Sequence, residues 1–426
     1  MTPRVAIDER VLGLPVSPTL ASRGRSGELV AAGRRVYRLG LGQSPFPVPD
    51  TVVAALRAAA AEKDYLPPAG LPELRAAVAD HHRRRHGLAL SAENVVVGPG
   101  SKELMFLLQL CFDGDILLPT PSWVSYVPQA RLAGRNAVPL PGGGRHGLEL
   151  TPDALARACA SGDRPRLLFL NSPSNPTGLA IEADAIAALA EVCRQHGVVV
   201  LSDEIYGELR FDGRHVSFAR AYPEGTIVAS GLSKWCGAGG WRLGTLALPP
   251  TLQPLRRALE AVASETYSTT SAPIQRAAIA AFRPSAEIEG YLLDARRVLH
   301  FVMTWAHGEL ERAGLDVPLP AGAFYLFPGF EPLRGALAKR GVHDDVALCE
   351  LLLTQTGVFA LPGSAFGMPR ESLWTRLALV DFDGARALTV ARDGVLDASF
   401  LRTQVAPLWE AIGAIATFAG ELRGGK

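Results

Sequence analysis

Short apolar runs alternate with longer Ala-rich segments over most of the chain. The apolar runs predict buried strands at 95–97, 115–118, 167–170, 198–201, 226–228 and 245–248. Helical patterns lie between them, for example at 101–112, 152–160 and 182–196. Buried strands that alternate with helices usually pair in parallel. We therefore expect an α/β fold whose central sheet is mostly parallel and is flanked by helices.

The pattern changes after residue 318, where shorter apolar runs at 323–327 and 374–380 are separated by longer helical segments. This change predicts a second, smaller α+β unit. The N-terminal segment has no strong periodicity of its own, and we expect it to pack on that unit. The predicted domains are a large one over 50–318 and a small one made of 1–49 and 319–426.

The composition describes an ordinary globular chain. Of its 426 residues 48% are hydrophobic, enough for a large core, and 43 basic residues nearly cancel 42 acidic ones. A net charge of +1 gives no reason to expect a nucleic acid or a membrane as partner. No apolar run reaches the roughly 18 residues of a membrane span. Arg4, Asp8, Glu9 and Arg10 interrupt the N-terminus, so we expect no secretory signal.

Cysteines and lysines are both few. The five cysteines are Cys111, Cys159, Cys193, Cys236 and Cys349, and no two of them form a C-x-x-C pair. We therefore predict reduced, buried thiols in a cytoplasmic protein, without a zinc site, another metal site or disulfides. Lysine stands only at 63, 102, 234, 339 and 426, so a lysine between apolar neighbours is easily noticed.

Two Gly-x-Gly tripeptides begin like a dinucleotide-binding fingerprint, at 40–42 and 98–100. The third glycine is missing from both, because Pro45 and Glu103 stand in its place. This absence argues against a nicotinamide-dependent dehydrogenase. The chain also lacks the P-loop, H-E-x-x-H and G-x-S-x-G motifs of common NTPases, metalloproteases and hydrolases.

Residues 81–87 read His-His-Arg-Arg-Arg-His-Gly. Such a cluster could bind a metal or a nucleic acid. We predict instead a solvated helix C-terminus, because cations favour that end of the helix dipole and Gly87 suits the position after the last turn.

Two polar segments directly follow predicted strands. Residues 171–178 read Asn-Ser-Pro-Ser-Asn-Pro-Thr-Gly, and residues 202–206 read Ser-Asp-Glu-Ile-Tyr. The first could be only a turn, and Asp203 in the second could be only a helix cap. Ligands of open α/β sheets bind at the carboxyl ends of strands, so both segments are also candidates for a binding site.

Two further segments carry basic residues between apolar neighbours. Residues 230–235 read Ser-Gly-Leu-Ser-Lys-Trp, and residues 239–244 read Gly-Gly-Trp-Arg-Leu-Gly. Lys234 could simply extend to the surface. Arg376 lies within the predicted strand at 374–380, and a buried guanidinium needs an anion.

Taken together, the four segments resemble the class I and II aminotransferases, fold-type-I enzymes that use pyridoxal 5′-phosphate. The likeness rests on their order: Asn-Pro-Thr-Gly, Asp-Glu-Ile-Tyr, Ser-Lys with Gly-Trp-Arg-Leu-Gly, and the late arginine. It extends from about Val16 to the C-terminal helix. The resemblance implies a large cofactor-binding domain, a smaller α+β domain and an enzyme of amino acid metabolism.

The resemblance gives roles to four residues around the cofactor ring. Lys234 matches the lysine that forms a Schiff base with the cofactor and then moves a proton at the substrate's Cα. Asp203 matches the acid that keeps the pyridine nitrogen protonated, so that the ring can act as an electron sink. Asn175 and Tyr206 match the groups that bind the 3′-oxygen. We expect burial or a neighbouring cation to lower the pKa of Lys234.

The cofactor phosphate needs donors and positive charge. Gly100, Ser101 and Lys102 match the family's phosphate cup at a predicted helix N-terminus, and Arg242 adds charge. On its own, this loop could be an ordinary connection between a strand and a helix. Many relatives carry a hydroxyl three residues before the lysine, but this chain has Gly231 there. Another serine would then take its place, either Ser233 or Ser230.

The remaining matches concern the ring, the partner subunit and the substrate. Trp123 aligns with the aromatic residue that stacks on the pyridine ring, although a core tryptophan is the alternative. Tyr65 matches a tyrosine that reaches the phosphate of the neighbouring subunit, which implies a homodimer with shared active sites. Arg376 matches the arginine that binds the substrate's α-carboxylate, with help from the Gly42 N–H and Asn175. Residues 377–383 differ from the smaller, hydroxyl-bearing run that is common in relatives, so we expect an unusual choice of substrate.

The resemblance therefore predicts an aminotransferase that transfers an amino group between an amino acid and a 2-oxo acid in two half-reactions of a ping-pong mechanism. One alternative is another reaction on the same cofactor, such as a β-elimination or a lyase or cyclase step. A second is a regulatory protein that uses an aminotransferase-like domain as a sensor. Such proteins carry a DNA-binding module ahead of that domain, for which we expect no room before residue 16.

Overall fold

The computed structural model describes residues 5–17, 27, 29–31 and 33–424. Parts of the predicted small-domain ranges 1–49 and 319–426, including Arg4 and Lys426, lie outside the described residues. In chain order the strands are β1 Tyr37–Arg38, β2 Val95–Gly98, β3 Asp115–Pro119, β4 Ala137–Leu140, β5 Arg166–Asn171, β6 Val199–Asp203, β7 Thr226–Gly231, β8 Gly244–Ala247, β9 Tyr325–Leu326, β10 Val358–Phe359, β11 Leu361–Pro362 and β12 Thr375–Ala378.

The α-helices cover most of the remaining chain. They are α1 Asp50–Ala59, α2 Pro72–His86, α3 Ser101–Cys111, α4 Tyr126–Leu132, α5 Pro152–Cys159, α6 Ala183–Gln195, α7 Gln253–Thr266, α8 Ala272–Phe282, α9 Ala286–Arg312, α10 Arg334–Lys339, α11 Asp345–Thr356, α12 Gly384–Asp393, α13 Ala398–Gln404 and α14 Ala406–Arg423. Short 3₁₀ turns connect several of these elements.

The central sheet has seven strands in the order β2-β8-β7-β6-β5-β3-β4. β8 runs antiparallel to β2 and β7, and the other neighbours are parallel. Alternate side chains of β5 enter opposite layers: Leu167 and Phe169 pack with α3 and α7, and Leu168 and Leu170 pack with α5 and α6. The predicted α/β fold with a mostly parallel sheet is therefore confirmed.

The sequence pattern missed one strand of this sheet. β4 lies at the edge, contains Pro139, and buries only Leu140 completely. An edge strand needs neither a continuous apolar run nor a full set of N–H donors, so its sequence carries a weak signal.

Two smaller sheets stand apart from the central one. β9, β12 and β11 form an antiparallel sheet in the order β11-β12-β9. β1 pairs in parallel with β10, which joins the N-terminal part of the chain to its last third. The long helix α9 packs against α12 and α14.

The predicted solvated helix end at 81–87 is wrong for its histidines. α2 does end at His86, and Gly87 follows it in the left-handed conformation with φ 67°. However, His81, His82 and His86 are buried, with 8%, 2% and 9% of their surface exposed. They face inward because the last turn of α2 packs on the segment that follows β6.

Two buried glutamates of that segment pair with buried histidines, and one of these histidines, His81, belongs to α2. Nε2 of His81 lies 3.1 Å from Oε1 of Glu208, and Nε2 of His215 lies 2.9 Å from Oε2 of Glu204. His81, His86 and Glu208 bring possible metal-ligand atoms within 4.8 Å of one another. Arg85 and Arg296 already face the Glu208 carboxylate, however. The absence of a metal site remains a prediction.

The cysteines are free thiols, but not all are buried as predicted. Cys159, Cys193 and Cys236 are buried, whereas Cys111 and Cys349 are half-buried near helix surfaces. Within the part of the chain that the structure describes, no single helix is both long and apolar enough to cross a membrane. α13 and α14 meet those criteria only as a pair, and a bend of 107° separates them.

Candidate active site

A cavity of about 570 Å³ lies at the carboxyl ends of the central strands. Asn171 at the end of β5 and Asp203 at the end of β6 are register partners and both line it. The predicted site residues that line this cavity are Gly42, Ser101, Lys102, Trp123, Asn175, Asp203, Tyr206, Ser233, Lys234, Arg242 and Arg376. Two predicted residues do not line it. Gly100 lies just behind Arg242, and Tyr65 is 88% exposed.

Three separate parts of the chain meet in this cavity. The parallel strands bring their carboxyl ends to one edge of the sheet, and the binding sites of such folds form at this edge. β12 of the smaller sheet contributes Arg376, and the loop after β1 contributes Gly42. The residues therefore converge although they are far apart in sequence.

The amine of Lys234 points into the cavity rather than to the outer surface. Its Nζ donates a hydrogen bond to the Gly42 carbonyl oxygen at 2.8 Å. Burial lowers the pKa of Lys234 to about 8, and the charges of Arg376, Arg242 and Lys102 act in the same direction. A pKa of about 8 leaves roughly a tenth of this amine unprotonated at pH 7, and this is the form that a nucleophile or base requires.

Asp203 is almost completely buried, with 4% of its surface exposed. The Tyr126 hydroxyl donates to its Oδ2 at 2.7 Å, and the Ile205 N–H donates to its Oδ1 at 3.3 Å. Burial raises the pKa of Asp203 to about 6, while these two bonds and the charge of Lys234 oppose the rise. No α-helix begins at Asp203, so the alternative of a helix cap does not describe it.

A candidate anion site lies at the N-terminus of α3. Gly100 precedes the helix with φ 93°, a left-handed conformation that favours glycine. Ser101 and Lys102 form the first turn, where backbone N–H groups have no helical acceptors. Arg242, itself in the left-handed region at φ 55°, reaches the same place and donates to the Pro99 and Gly239 carbonyls. Burial and the charge of Arg242 lower the pKa of Lys102.

Steric crowding explains the glycine at 231. A Cβ there would lie 2.6 Å from the Leu243 carbonyl oxygen, because β7 and β8 pair closely at this point. No hydroxyl side chain would fit without moving backbone. Of the two serines considered as substitutes, Ser233 lines the cavity, whereas Ser230 is paired with Thr245 inside the sheet.

Arg376 is a buried cation without a carboxylate partner among the described residues, and 1% of its surface is exposed. Its Nη1 donates to Oδ1 of Asn175 at 3.1 Å, and its Nη2 donates to the Gly40 carbonyl. Its Nε has no hydrogen-bond partner in the part of the chain that is described. A buried guanidinium in this state is a ready receptor for a carboxylate.

Trp123 borders the cavity in a half-buried position. Lys102 Nζ lies 5.1 Å from the centre of its ring, and the ring meets Tyr126 edge-on at 5.3 Å. The ring therefore borders the cavity, with the Lys102 ammonium over one of its faces. The alternative of a fully enclosed core tryptophan does not describe it.

Two tyrosines in and behind the cavity were not identified from sequence. Tyr126 holds Asp203 from behind, and the Tyr325 hydroxyl oxygen lies 2.7 Å from that of Tyr206. Tyr126 lies three residues after Trp123, so the same aromatic segment could have suggested it. Tyr325 falls in the predicted strand at 323–327, where a buried aromatic residue is ordinary, and its sequence context gives no functional signal.

Comparison with known proteins yields a consistent set of relatives. Residues 34–385 match the family model described as aminotransferase class I and II. The aspartate aminotransferase of Geobacillus stearothermophilus is 36% identical over 85% of this chain and 92% of the relative. The aspartate/prephenate aminotransferase of Cereibacter sphaeroides is 34% identical over 83% and 89%. The structure of Thermus thermophilus aspartate aminotransferase with maleate superposes with a TM-score of 0.83 at 29% identity, over 97% of this chain and 100% of that one.

Proposed function

The chain belongs to the class I and II aminotransferases, and we propose that the cavity is its active site and binds pyridoxal 5′-phosphate. It is an aminotransferase, which transfers an amino group between an amino acid and a 2-oxo acid in two half-reactions. One observation carries the proposal. Lys234, an amine with a pKa of about 8, shares one cavity with a buried carboxylate and with a buried arginine that has no carboxylate partner.

The donor set fits this cofactor. A lysine amine of lowered pKa suits its aldehyde, the buried Asp203 suits its pyridine nitrogen, and the N-terminus of α3 with two cations suits its phosphate. When bound, the cofactor withdraws electrons from the Cα of an attached amino acid. The protein then has to bind, orient and exchange protons.

We propose that Lys234 removes and returns the proton at the substrate's Cα. Its amine would also hold the cofactor aldehyde between turnovers. Asp203, kept ionised by its hydrogen bonds, would accept a hydrogen bond from the protonated pyridine nitrogen. Asn175 and Tyr206 would donate to the cofactor's 3′-oxygen, and the face of Trp123 would cover the ring.

The phosphate and the substrate carboxylate occupy opposite ends of the cavity in this proposal. Gly100, Ser101 and Lys102 with Arg242 would hold the phosphate, and Ser233 would supply the hydroxyl that position 231 cannot. Arg376 would bind the substrate's α-carboxylate in a two-pronged manner that orients the Cα–H bond, together with Asn175 and the Gly42 N–H.

We further propose a homodimer in which Tyr65 reaches the partner's phosphate. A cytoplasmic location is supported by the buried free thiols of Cys159, Cys193 and Cys236. The domain division at 50–318, with 1–49 and 319–426 forming the small domain, is supported by the pairing of β1 with β10. Nothing in the relatives' names favours the alternative of β-elimination or a lyase or cyclase step.

The decisive experiment combines Lys234→Ala with a screen of amino donors against several 2-oxo acids. The wild type should show visible cofactor absorbance and convert donors to their oxo acids without net ammonia release. Lys234→Ala should lose both the absorbance and the activity. The exposed Lys339→Ala is the matched control and should retain both. A covalently bound cofactor in Lys234→Ala, located by reduction and peptide mapping elsewhere, would overturn the assignment.

A further inference from the structure

Tyr325 connects the two halves of the cavity. It lies on β9, next to β12, which carries Arg376, and it lines the cavity while only 1% of its surface is exposed. None of the roles proposed above uses it. Its surroundings are unusual for a core tyrosine, because both its ring and its hydroxyl contact residues of the site.

The ring of Tyr325 lies against the guanidinium of Arg376. Cζ of Arg376 is 4.8 Å from the centre of the Tyr325 ring and 5.0 Å from that of Phe366. Two hydrogen bonds, to Asn175 and Gly40, fix the Nη atoms but leave Nε free among the described residues. Hydrogen bonds at one end of the guanidinium leave the tilt of its plane free. The aromatic contacts therefore restrict this tilt.

The hydroxyl of Tyr325 is held just as closely. It lies 2.7 Å from the Tyr206 hydroxyl, and a Cβ on Gly42 would clash with it, so the loop after β1 has no room for a side chain there. The titratable groups that face this pair of hydroxyls are Asp203, Lys234 and Arg376. Burial raises the pKa of both tyrosines, so both remain protonated and each has one proton to donate.

We propose that Tyr325 is a positioning residue with two separable roles. Its ring orients Arg376 for the substrate carboxylate, and its hydroxyl donates to the Tyr206 oxygen, so that the Tyr206 proton is directed to the cofactor's 3′-oxygen. This inference rests on the proposed function. Hydrogen bonds in such a chain strengthen each other, so the bond from Tyr325 makes Tyr206 a better donor.

The two roles can be separated because phenylalanine keeps the ring and leucine keeps neither group. Tyr325→Phe should leave the KM for amino acids within about twofold, because the cation–π contact persists. Its kcat should fall by about threefold or more, because Tyr206 loses a bond partner and donates less strongly. The pH at which the visible absorbance of the holoenzyme changes should also rise, because the cofactor's 3′-oxygenate is less stabilised.

Tyr325→Leu should show the same spectral shift and, in addition, weaker carboxylate binding. The dissociation constant of propionate, a carboxylate that cannot react, should rise about fivefold or more, as expected for the loss of a buried cation–π contact. Because propionate cannot react, calorimetry on the holoenzyme measures this constant without catalysis. Phe330→Leu is the matched control, since it removes a fully buried ring near the same sheet but does not line the cavity.

The outcomes separate this inference from the proposed function. If the wild type shows no cofactor absorbance, the proposed function fails. If the wild type behaves as an aminotransferase but Tyr325→Phe keeps its kcat and its spectral transition, the hydroxyl role is wrong. If propionate binds Tyr325→Leu as tightly as it binds the wild type, the ring role is wrong. Should Tyr325→Leu fail to fold, Tyr325→Phe still tests the hydroxyl, and an increase in its propionate dissociation constant would contradict the ring role.

Discussion

A buried carboxyl such as Asp203 ionises near neutral pH only when hydrogen bonds and charges offset the cost of its burial. Tyr126 provides the strongest of these contacts, at 2.7 Å, and Lys234 contributes a positive charge. Even so, the pKa of Asp203 stays near 6. Loss of a single bond would thus leave the group neutral over much of the physiological range.

Tyr126→Phe tests this balance at the residue scale. The ring contacts with Trp123 and Phe169 remain, but the bond to Asp203 is lost. Hydrogen bonds to a charged group are worth roughly 1.5–3 kcal/mol, so the pKa of Asp203 should rise by about one to two units. The acidic limb of the kcat/KM profile should therefore move to higher pH by a similar amount.

A pH–rate profile of the purified holoenzyme measures the shift. Tyr291→Phe is the control, because Tyr291 is also buried and its hydroxyl has no partner in the described part of the chain. Its profile should match that of the wild type. An unchanged acidic limb in Tyr126→Phe would mean that other groups set the charge of Asp203.

Sequence motifs predicted the residues that we propose to react, but not those that hold them in place. Asp203 and Lys234 lie in compact motifs with a fixed order, and the cavity brings them together. Tyr325 and Tyr126 act through contacts across long sequence distances, and a tyrosine in an apolar run looks like any core residue. The burial of the α2 histidines was missed for the same reason, since Glu208, which pairs with His81, follows a distant strand.

At the scale of elements, the proposed phosphate site depends on how closely β8 approaches α3. A Cβ on Gly244 would lie on the backbone of Gly100 and Ser101, where neither a rotamer change nor solvent can relieve it. The first turn of α3 would have to move. The geometry of the proposed anion site is therefore set by a glycine in a neighbouring strand.

Gly244→Ala should consequently weaken cofactor binding. We expect a loss of roughly 1–3 kcal/mol in the free energy of unfolding from overpacking, and about tenfold weaker binding of pyridoxal 5′-phosphate. Urea unfolding and fluorescence titration measure the two quantities. Gly290→Ala on α9 is the control, because its added methyl meets nothing within 4 Å. Equal affinities in Gly244→Ala and wild type would show that the helix start is not held by β8.

The end of α2 makes a different prediction, which concerns stability and pH. Burial lowers the pKa of His86 to about 4, compared with 6.5 when it is exposed. The unfolded chain therefore binds more protons than the folded one below pH 6.5, so stability must fall as the pH falls from 6.5 towards 4. Between pH 7.5 and 5 this one group should remove roughly 2 kcal/mol from the free energy of unfolding.

Urea unfolding at the two pH values measures the loss. His86→Leu should reduce the pH-dependent loss by about that amount, whereas the exposed His343→Leu should not change it. A loss in His86→Leu as large as in the wild type would mean that His86 is not protonated on unfolding in this range.

At the scale of the whole molecule, the fold class and the family motifs followed from the sequence, because buried strands and ordered motifs leave local signals. The pairing of β1 with β10 did not, since strands of two residues carry almost no pattern. Surface features need the folded chain as well. Tyr65 is 88% exposed, and the apolar residues Val5, Ile7, Val11, Leu12 and Val16 are 48–83% exposed. Exposed apolar groups of this kind favour a protein interface.

The proposed homodimer with shared sites can be tested by mixing two defective variants. Light scattering should first give twice the 45.3 kDa of one chain. Lys234→Ala lacks the reactive amine, and Tyr65→Ala should bind the cofactor about 10- to 100-fold more weakly, because a bond to a charged phosphate is lost. In a hybrid dimer of the two, one site combines an intact Lys234 with the partner's intact Tyr65. At limiting cofactor this hybrid should regain up to half of the wild-type activity.

A hybrid with Lys234→Ala in both protomers should remain inactive. If Tyr65 serves its own subunit, neither hybrid recovers, and a monomer in solution would contradict the shared site directly.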